Sequence, residues 1–103
     1  VHPDHLESAV RNLLDNALRH GAGKSVELTA AAREGRLAIR VRDHGPGISQ
    51  ANRRRIFDRF FTTERDGGGT GLGLAIVQAV AHRRGGKVSV DTGPEGTTFT
   101  LVL

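Results

Sequence analysis

Four polar residues, Asn12, Asp15, Asn16 and Arg19, recur at helical spacing in DHLESAVRNLLDNALRH, residues 4–20. At about 100° per residue they share one side, opposite Leu6, Val10, Leu13 and Ala17. Asparagine forms helix poorly because its amide competes for backbone hydrogen bonds. Two of them a turn apart on one face therefore need a reason. A solvated face is one reason; the other is metal chemistry. An amide oxygen is a neutral hard ligand suited to Mg²⁺, which keeps waters and phosphate oxygens in its other positions.

A second stretch, DHGPG at residues 43–47, sets a carboxylate at a strand end before two glycines that flank a proline. As a turn it is ordinary; as a site, Asp43 would accept a hydrogen bond from an amino group behind the turn. The third stretch is GGGTGLGL, residues 67–74, with five glycines in eight positions and AIVQAVAHRR directly after. These glycines give up side chains and add chain entropy. They leave backbone N–H groups free at a helix start, where a phosphate binds well. A flexible surface loop is the plainer alternative.

Two familiar phosphate motifs do not fit. GAGKS at residues 21–25 has Leu18 where a P-loop needs glycine, and a helix precedes it and a strand follows, the inverse of the P-loop order. GGGTGLGL has Leu74 where the dinucleotide fingerprint needs its third glycine, and a loop rather than a strand comes before it.

The elements that must position these stretches follow from periodicity. Leu6, Ala9, Val10, Leu13, Leu14, Ala17 and Leu18 mark a first helix, with Asp4 as its expected N-cap after Pro3 and Gly21 as its stop. SVELTAAAR and RLAIRVRD read as two strands joined at Glu34-Gly35. QANRRRIFDRFF restarts a short helix, and residues 62–70 read as a polar loop. Leu74, Ile76, Val77, Val80 and Ala81 mark a second long helix stopped at Gly85-Gly86. KVSVDT and TTFTLVL alternate as a closing hairpin around GPEG. The order predicts one domain over residues 1–103, an α/β (α+β) two-layer sandwich whose mixed, mostly antiparallel sheet is covered on one face by helices.

The 103 residues suffice for one modest core. With 37% hydrophobic and 25% charged residues, wholesale disorder is excluded. The net charge of +4 comes with scattered arginines and only four aromatic residues, all phenylalanine. Single-strand binding needs a basic groove with stacking rings, so no nucleic-acid partner is expected. The chain has no cysteine, which removes disulfide and thiolate chemistry. No apolar run reaches membrane-spanning length, and the five histidines show no metal-like pairing.

In order, NLLDNALRHG, DHGPGI, IFDRFF and GGTGLGLAIV resemble the N, G1, F and G2 boxes of the ATP-binding domain of bacterial sensor histidine kinases. That domain has the Bergerat fold, shared with type II topoisomerases, mismatch-repair ATPases and heat-shock chaperones, and the resemblance covers essentially the whole chain. It implies a site for ATP and Mg²⁺. Asn16 would be the metal ligand with Asn12 assisting, Arg19 would approach the phosphates and His20 would lie against the nucleotide. Asp43 would bond the adenine amino group, with Gly45 and Gly47 letting the base pack on the turn and Ile48 beside it. Phe57 and Phe60 would anchor a lid from about Asp58 to Thr70. Gly69, Gly71 and Gly73 would bring amides to the triphosphate, with Thr70, Leu72 and Leu74 lining the same stretch. His44 stands where asparagine is usual, and Arg59, Arg65 and Thr70 all remain open as the contact to the γ-phosphate.

Family members that hydrolyse ATP, and the anti-sigma serine kinases, resemble one another in carrying glutamate where this chain has Asn12. An amide cannot take a proton from water. The resemblance therefore implies γ-phosphate transfer to a histidine on a dimerisation/phosphoacceptor domain, with a response regulator downstream. The alternatives are a nucleotide-gated interaction domain or an ATPase or serine kinase of the wider family. No acceptor-bearing helical hairpin is expected within these residues, since His2 and His5 lie in or beside the first helix. The isolated domain is expected to bind ATP, to be weak or inactive alone and to be monomeric. The resemblance implies a cytoplasmic domain whose parent is a homodimer anchored in the bacterial inner membrane.

Overall fold

A computed structural model describes residues 3–21, 23–58 and 73–103. Its elements are α1 (Pro3–His20), β1 (Glu27–Arg33), β2 (Arg36–Asp43), α2 (Gln50–Arg53), α3 (Gly73–Arg83), β3 (Lys87–Gly93) and β4 (Gly96–Val102). The four strands form one sheet in the order β1-β2-β4-β3. With α1 and α3 packed on the face that carries the core, this is the two-layer sandwich expected from the sequence. All three pairings among the described strands are antiparallel, so the mixed character expected of the sheet has no counterpart among them. Two local hairpins, β1–β2 and β3–β4, meet along β2 and β4, and each junction runs antiparallel.

The β1–β2 turn is a two-residue loop with positive φ at both Glu34 (53°) and Gly35 (77°). That is the primed turn whose twist matches paired strands. Along β4, Thr97, Phe99 and Leu101 are buried and the residues between them are half-exposed, which is the period-two pattern of a strand with one covered face. Ile39 and Val41 of β2 face the same way and join Ala9, Leu13 and Ala17 of α1 and Val77, Val80 and Ala81 of α3 in the core. The α3 helix ends at a Schellman motif: Gly86 N–H donates to the Ala81 carbonyl (2.9 Å) and Gly85 N–H to the His82 carbonyl (3.1 Å). Gly85 takes the left-handed conformation there (φ 69°), as that motif requires.

Two details of α1 differ from expectation. The helix begins at Pro3, so Asp4 lies inside the first turn rather than capping it. Proline suits that first position because its missing N–H would have had no helical partner. Leu18 is 67% exposed. It lies about 140° around the helix from buried Leu13, too far to join the core stripe.

Candidate functional site

Three described segments converge at the C-terminal half of α1. The first is α1 itself, whose Asn12 and Asn16 are half-buried one turn apart. The Asn12 Nδ2 group donates to the Ser8 carbonyl at 2.8 Å, which fixes the amide. Its Oδ1 is turned toward the start of α3, where a Cβ on Gly73 would stand only 3.0 Å away. Gly73 is therefore the residue that lets α3 begin against Asn12.

The second segment is the turn after β2. Asp43 is 3% exposed, and its Oδ1 accepts hydrogen bonds from the backbone N–H of Gly45 (2.9 Å) and of Thr97 (3.2 Å). No partner for Oδ2 is found among the described residues, although no described side-chain oxygen or nitrogen is both sealed from solvent and unbonded. Oδ2 is thus an acceptor with an open side. The turn is pressed against the end of α1, since a Cβ on Gly45 would fall 2.0 Å from the His20 carbonyl oxygen. The third segment is the β3–β4 hairpin. Ile48 N–H donates to Thr92 Oγ1 (2.9 Å), and that hydroxyl is 2.8 Å from Thr97 Oγ1. This hydroxyl pair ties the turn to the hairpin.

The structure thus brings Asn12 to Gly73 and gathers His20, Asp43, Gly45 and Ile48 around one turn. Leu74 is half-buried and packs against the core. Arg19 is paired elsewhere, with its Nε 2.9 Å from Asp15 Oδ2 on the exposed face of α1. Phe57 packs edge-on against Phe99, with ring centroids 6.2 Å apart, so the short α2 segment is anchored in the core. Phe60, Gly69, Thr70, Gly71 and Leu72 lie outside the described residues, as does all of the expected lid except Asp58. An open depression of about 960 Å³, lined in part by Lys24, His44, Gly45 and Glu95, flanks the same turn. Neither asparagine of α1 lines it.

Thr97 and Thr92 have no place in the sequence reading. The available signal is Thr97 at an inward position of an alternating strand, where an apolar residue is the norm. Its register partner is Asp43, and that pairing is not visible from either strand alone.

This geometry matches known proteins. The model for histidine kinase-, DNA gyrase B- and HSP90-like ATPases matches residues 1–103. The chain belongs to this family. Among its relatives, the sensor histidine kinase component HK1 of Mycobacterium tuberculosis is 45% identical over 98 residues, covering 93% of this chain and 58% of HK1. The sensor histidine kinase YcbM of Bacillus subtilis is 40% identical over 104 residues, covering 95% of this chain and 33% of YcbM. The chain therefore spans little more than half of one of these relatives and a third of the other. The solved structure of the mycobacterial sensor histidine kinase MprB superposes with a TM-score of 0.83 at 36% identity, covering 97% of this chain and 70% of that one. Full-length ShkA in complex with AMPPNP gives 0.83 and 36%, covering 95% of this chain and 21% of ShkA. Membership makes this an ATP-binding domain of the histidine-kinase type. Among the described residues no helix is long and apolar enough to cross a membrane.

Proposed function

We propose that this domain binds Mg²⁺-ATP and positions its γ-phosphate for transfer to a histidine on the dimerisation/phosphoacceptor domain of a two-component sensor kinase. The carrying observation is the divided state of Asp43. One carboxylate oxygen is held by two backbone N–H groups, and the other has no partner among the described residues. An oxygen of a buried carboxylate that still opens to solvent is matched to a donor supplied by a ligand, and the exocyclic amino group of adenine is such a donor.

The α1 face fits the rest of the nucleotide. Asn12 and Asn16 offer neutral amide oxygens at half-buried positions, the donor type that Mg²⁺ accepts beside phosphate oxygens. When bound, the ion would neutralise phosphate charge as the γ-phosphoryl group departs. Asn12 is already oriented by its bond to Ser8, so its oxygen is aimed without further ordering. Arg19 would reach the phosphates by giving up a surface pair with Asp15, an exchange worth under about 1 kcal/mol. Gly73 and the N–H groups of the first turn of α3 would add donors at a helix start.

The residue types also favour transfer over hydrolysis. Neither asparagine can act as a general base toward water. An imidazole needs no strong base: its nitrogen forms the new bond to phosphorus as the bond from phosphorus to the β,γ-bridging oxygen breaks and ADP departs. The test mixes the chain with a separately produced phosphoacceptor domain and γ-labelled ATP. Label on the acceptor histidine is expected. Free phosphate at the same rate with and without the acceptor would point to hydrolysis, and nucleotide binding without transfer would point to a nucleotide-gated interaction domain.

A further inference from the structure

Arginines that look scattered along the sequence are gathered on the sheet face turned away from α1 and α3. Ile39 and Val41 point into the core, so Arg36, Arg40 and Arg42 of β2 point the other way, and all three are exposed. The register sets Arg33 of β1 directly opposite Arg36, and sets Lys87 of β3 level with Ala38, one pleat further along. Both are exposed as well.

This surface is not neutralised from within the described fold. Among the described residues no carboxylate forms an ion pair with Arg33, Arg36, Arg40, Arg42 or Lys87. Arg36 Nη1 donates to the Gly85 carbonyl (3.4 Å), which leans it across the end of β4 but leaves its charge uncompensated. Arg33 against Arg36 sets like charges directly opposite on one ladder, an arrangement that weakens a sheet. The two carboxylates of this face, Glu27 and Asp91, both lie at its other end, in the row of Arg42 and Thr98. Glu27 is drawn to His44 Nε2 (3.4 Å). Beside the arginines the floor is low. Thr98, Thr100 and Val102 of β4 are half-exposed, and Ser89 lies next to Thr100. They make a shallow trough along β4 with Arg40 and Arg42 on its β2 side.

We propose that this trough docks an acidic α-helix of a partner protein, its carboxylates aligned with Arg42, Arg40 and Arg36. Arg40 and Arg42 are two residues apart on a strand, about 6.7 Å, and helix positions i and i+4 are about 6 Å apart. From Arg42 to Arg36 is about 20 Å, which a stripe at i, i+4, i+7 and i+11 covers to within the length of an arginine side chain. A helix also suits the backbone. The N–H and C=O groups of β4 are already bonded to β2 and β3, so an extended segment would leave its own unpaired, whereas a helix bonds its own. A lipid surface or a nucleic acid is anionic throughout and would set phosphates against Asp91. A helix can carry a lysine there. The inference is independent of the phosphotransfer reading.

The probe is a labelled, alanine-rich helical peptide with glutamates at i, i+4, i+7 and i+11 and one lysine on their flank, titrated with this chain by fluorescence anisotropy. A dissociation constant between about 10 µM and about 1 mM is expected at about 50 mM salt, weakening steeply by about 500 mM. Arg40→Glu and Arg42→Glu are each expected to raise it about tenfold with the melting temperature unchanged, since neither arginine has an ion pair in the described fold. Arg36→Glu, which sets a carboxylate opposite Arg33, should weaken the peptide and raise the melting temperature. A peptide with lysines in place of the glutamates should bind the Arg40→Glu/Arg42→Glu chain and not the parent, a reversal that a purely structural role of the arginines would not produce. No binding at low salt overturns the proposal. So does equal affinity for a peptide of the same composition with its glutamates spread around the helix. Tighter binding of duplex DNA, or of vesicles about one-third phosphatidylglycerol, that is lost in the same variants also overturns it.

Discussion

Replacing Asp43 with asparagine tests the nucleotide site at a single atom. The Gly45 and Thr97 N–H groups are fixed by the turn and the β2–β4 ladder, and both donate to Oδ1. In Asp43→Asn the amide oxygen must face them, because the flipped amide would set its NH₂ against two fixed donors. The inner bonds therefore survive in neutral form, and loss of their charge assistance costs about 1 kcal/mol of stability. The outer position changes from acceptor to donor. Adenine loses one charge-assisted hydrogen bond and meets a donor in its place, about 2–3 kcal/mol, or roughly 30- to 150-fold weaker binding. Asp43→Ala differs in kind. It leaves two buried N–H groups unpaired, at about 1–3 kcal/mol each, and is expected to threaten the fold itself.

Calorimetric titration of parent and Asp43→Asn with Mg²⁺-ATP and with inorganic triphosphate separates these effects. The expected pattern is a melting temperature lowered by a few degrees, ATP affinity reduced by the factor above, and triphosphate affinity within about twofold of the parent. Equal ATP affinity in both proteins would refute the reasoning, since Oδ2 would then be an acceptor that no ligand uses.

Other substitutions probe the same framework. Asn16→Ala removes the amide oxygen yet favours helix by a few tenths of a kcal/mol, so a folded protein should bind ATP with little Mg²⁺ dependence in titrations with and without the metal. Gly45→Ala sets a Cβ where the His20 carbonyl stands, and chemical denaturation should show a loss of about 1–3 kcal/mol together with weakened ATP binding. Thr97→Val keeps the shape of the side chain but strips the hydroxyl from the Thr92 pair, which should lower stability by about 1 kcal/mol and move the Ile48 amide resonance in an NMR spectrum. Arg19→Ala should leave the melting temperature within about a degree of the parent, because its pair with Asp15 is exposed, while slowing transfer to a supplied acceptor domain.

The sequence was most legible where side-chain period alone decides structure. RLAIRVRD alternates, and β2 occupies those eight residues; the apolar spacing of AIVQAVAHRR is α3 to within two residues at its start and one at its end. Boundaries slipped where the chain makes local exceptions, as at Pro3, which starts α1 a residue before the expected cap. Leu18 misled because an apolar residue at a near-helical interval can still point off the stripe. The sheet order was not legible, because β2 and β4 are neighbours across more than fifty residues and no local pattern pairs them. Thr97 was hidden for the same reason: its hydroxyl and its N–H acquire meaning only once Asp43 and Thr92 lie beside it.

The glycines of DHGPG show how a site and its scaffold share residues. The sequence reading gives Gly45 and Gly47 to a base packing on the turn. In the structure the space of a Cβ at each is already taken by protein backbone, the His20 carbonyl oxygen at 2.0 Å from Gly45 and the Gly93 carbonyl oxygen at 2.2 Å from Gly47. Gly96 returns the contact, with its Cβ position 2.1 Å from the Asp43 carbonyl oxygen. The end of α1, the turn after β2 and the β3–β4 hairpin are therefore locked by close backbone approach before any ligand arrives. Such a lock leaves Asp43 little freedom to turn its open oxygen inward, so the ordering that binding would otherwise require is already done in folding. The same glycines that let the backbones meet thus hold the acceptor in place. A side chain at any of them would loosen the framework first and the nucleotide site as a consequence.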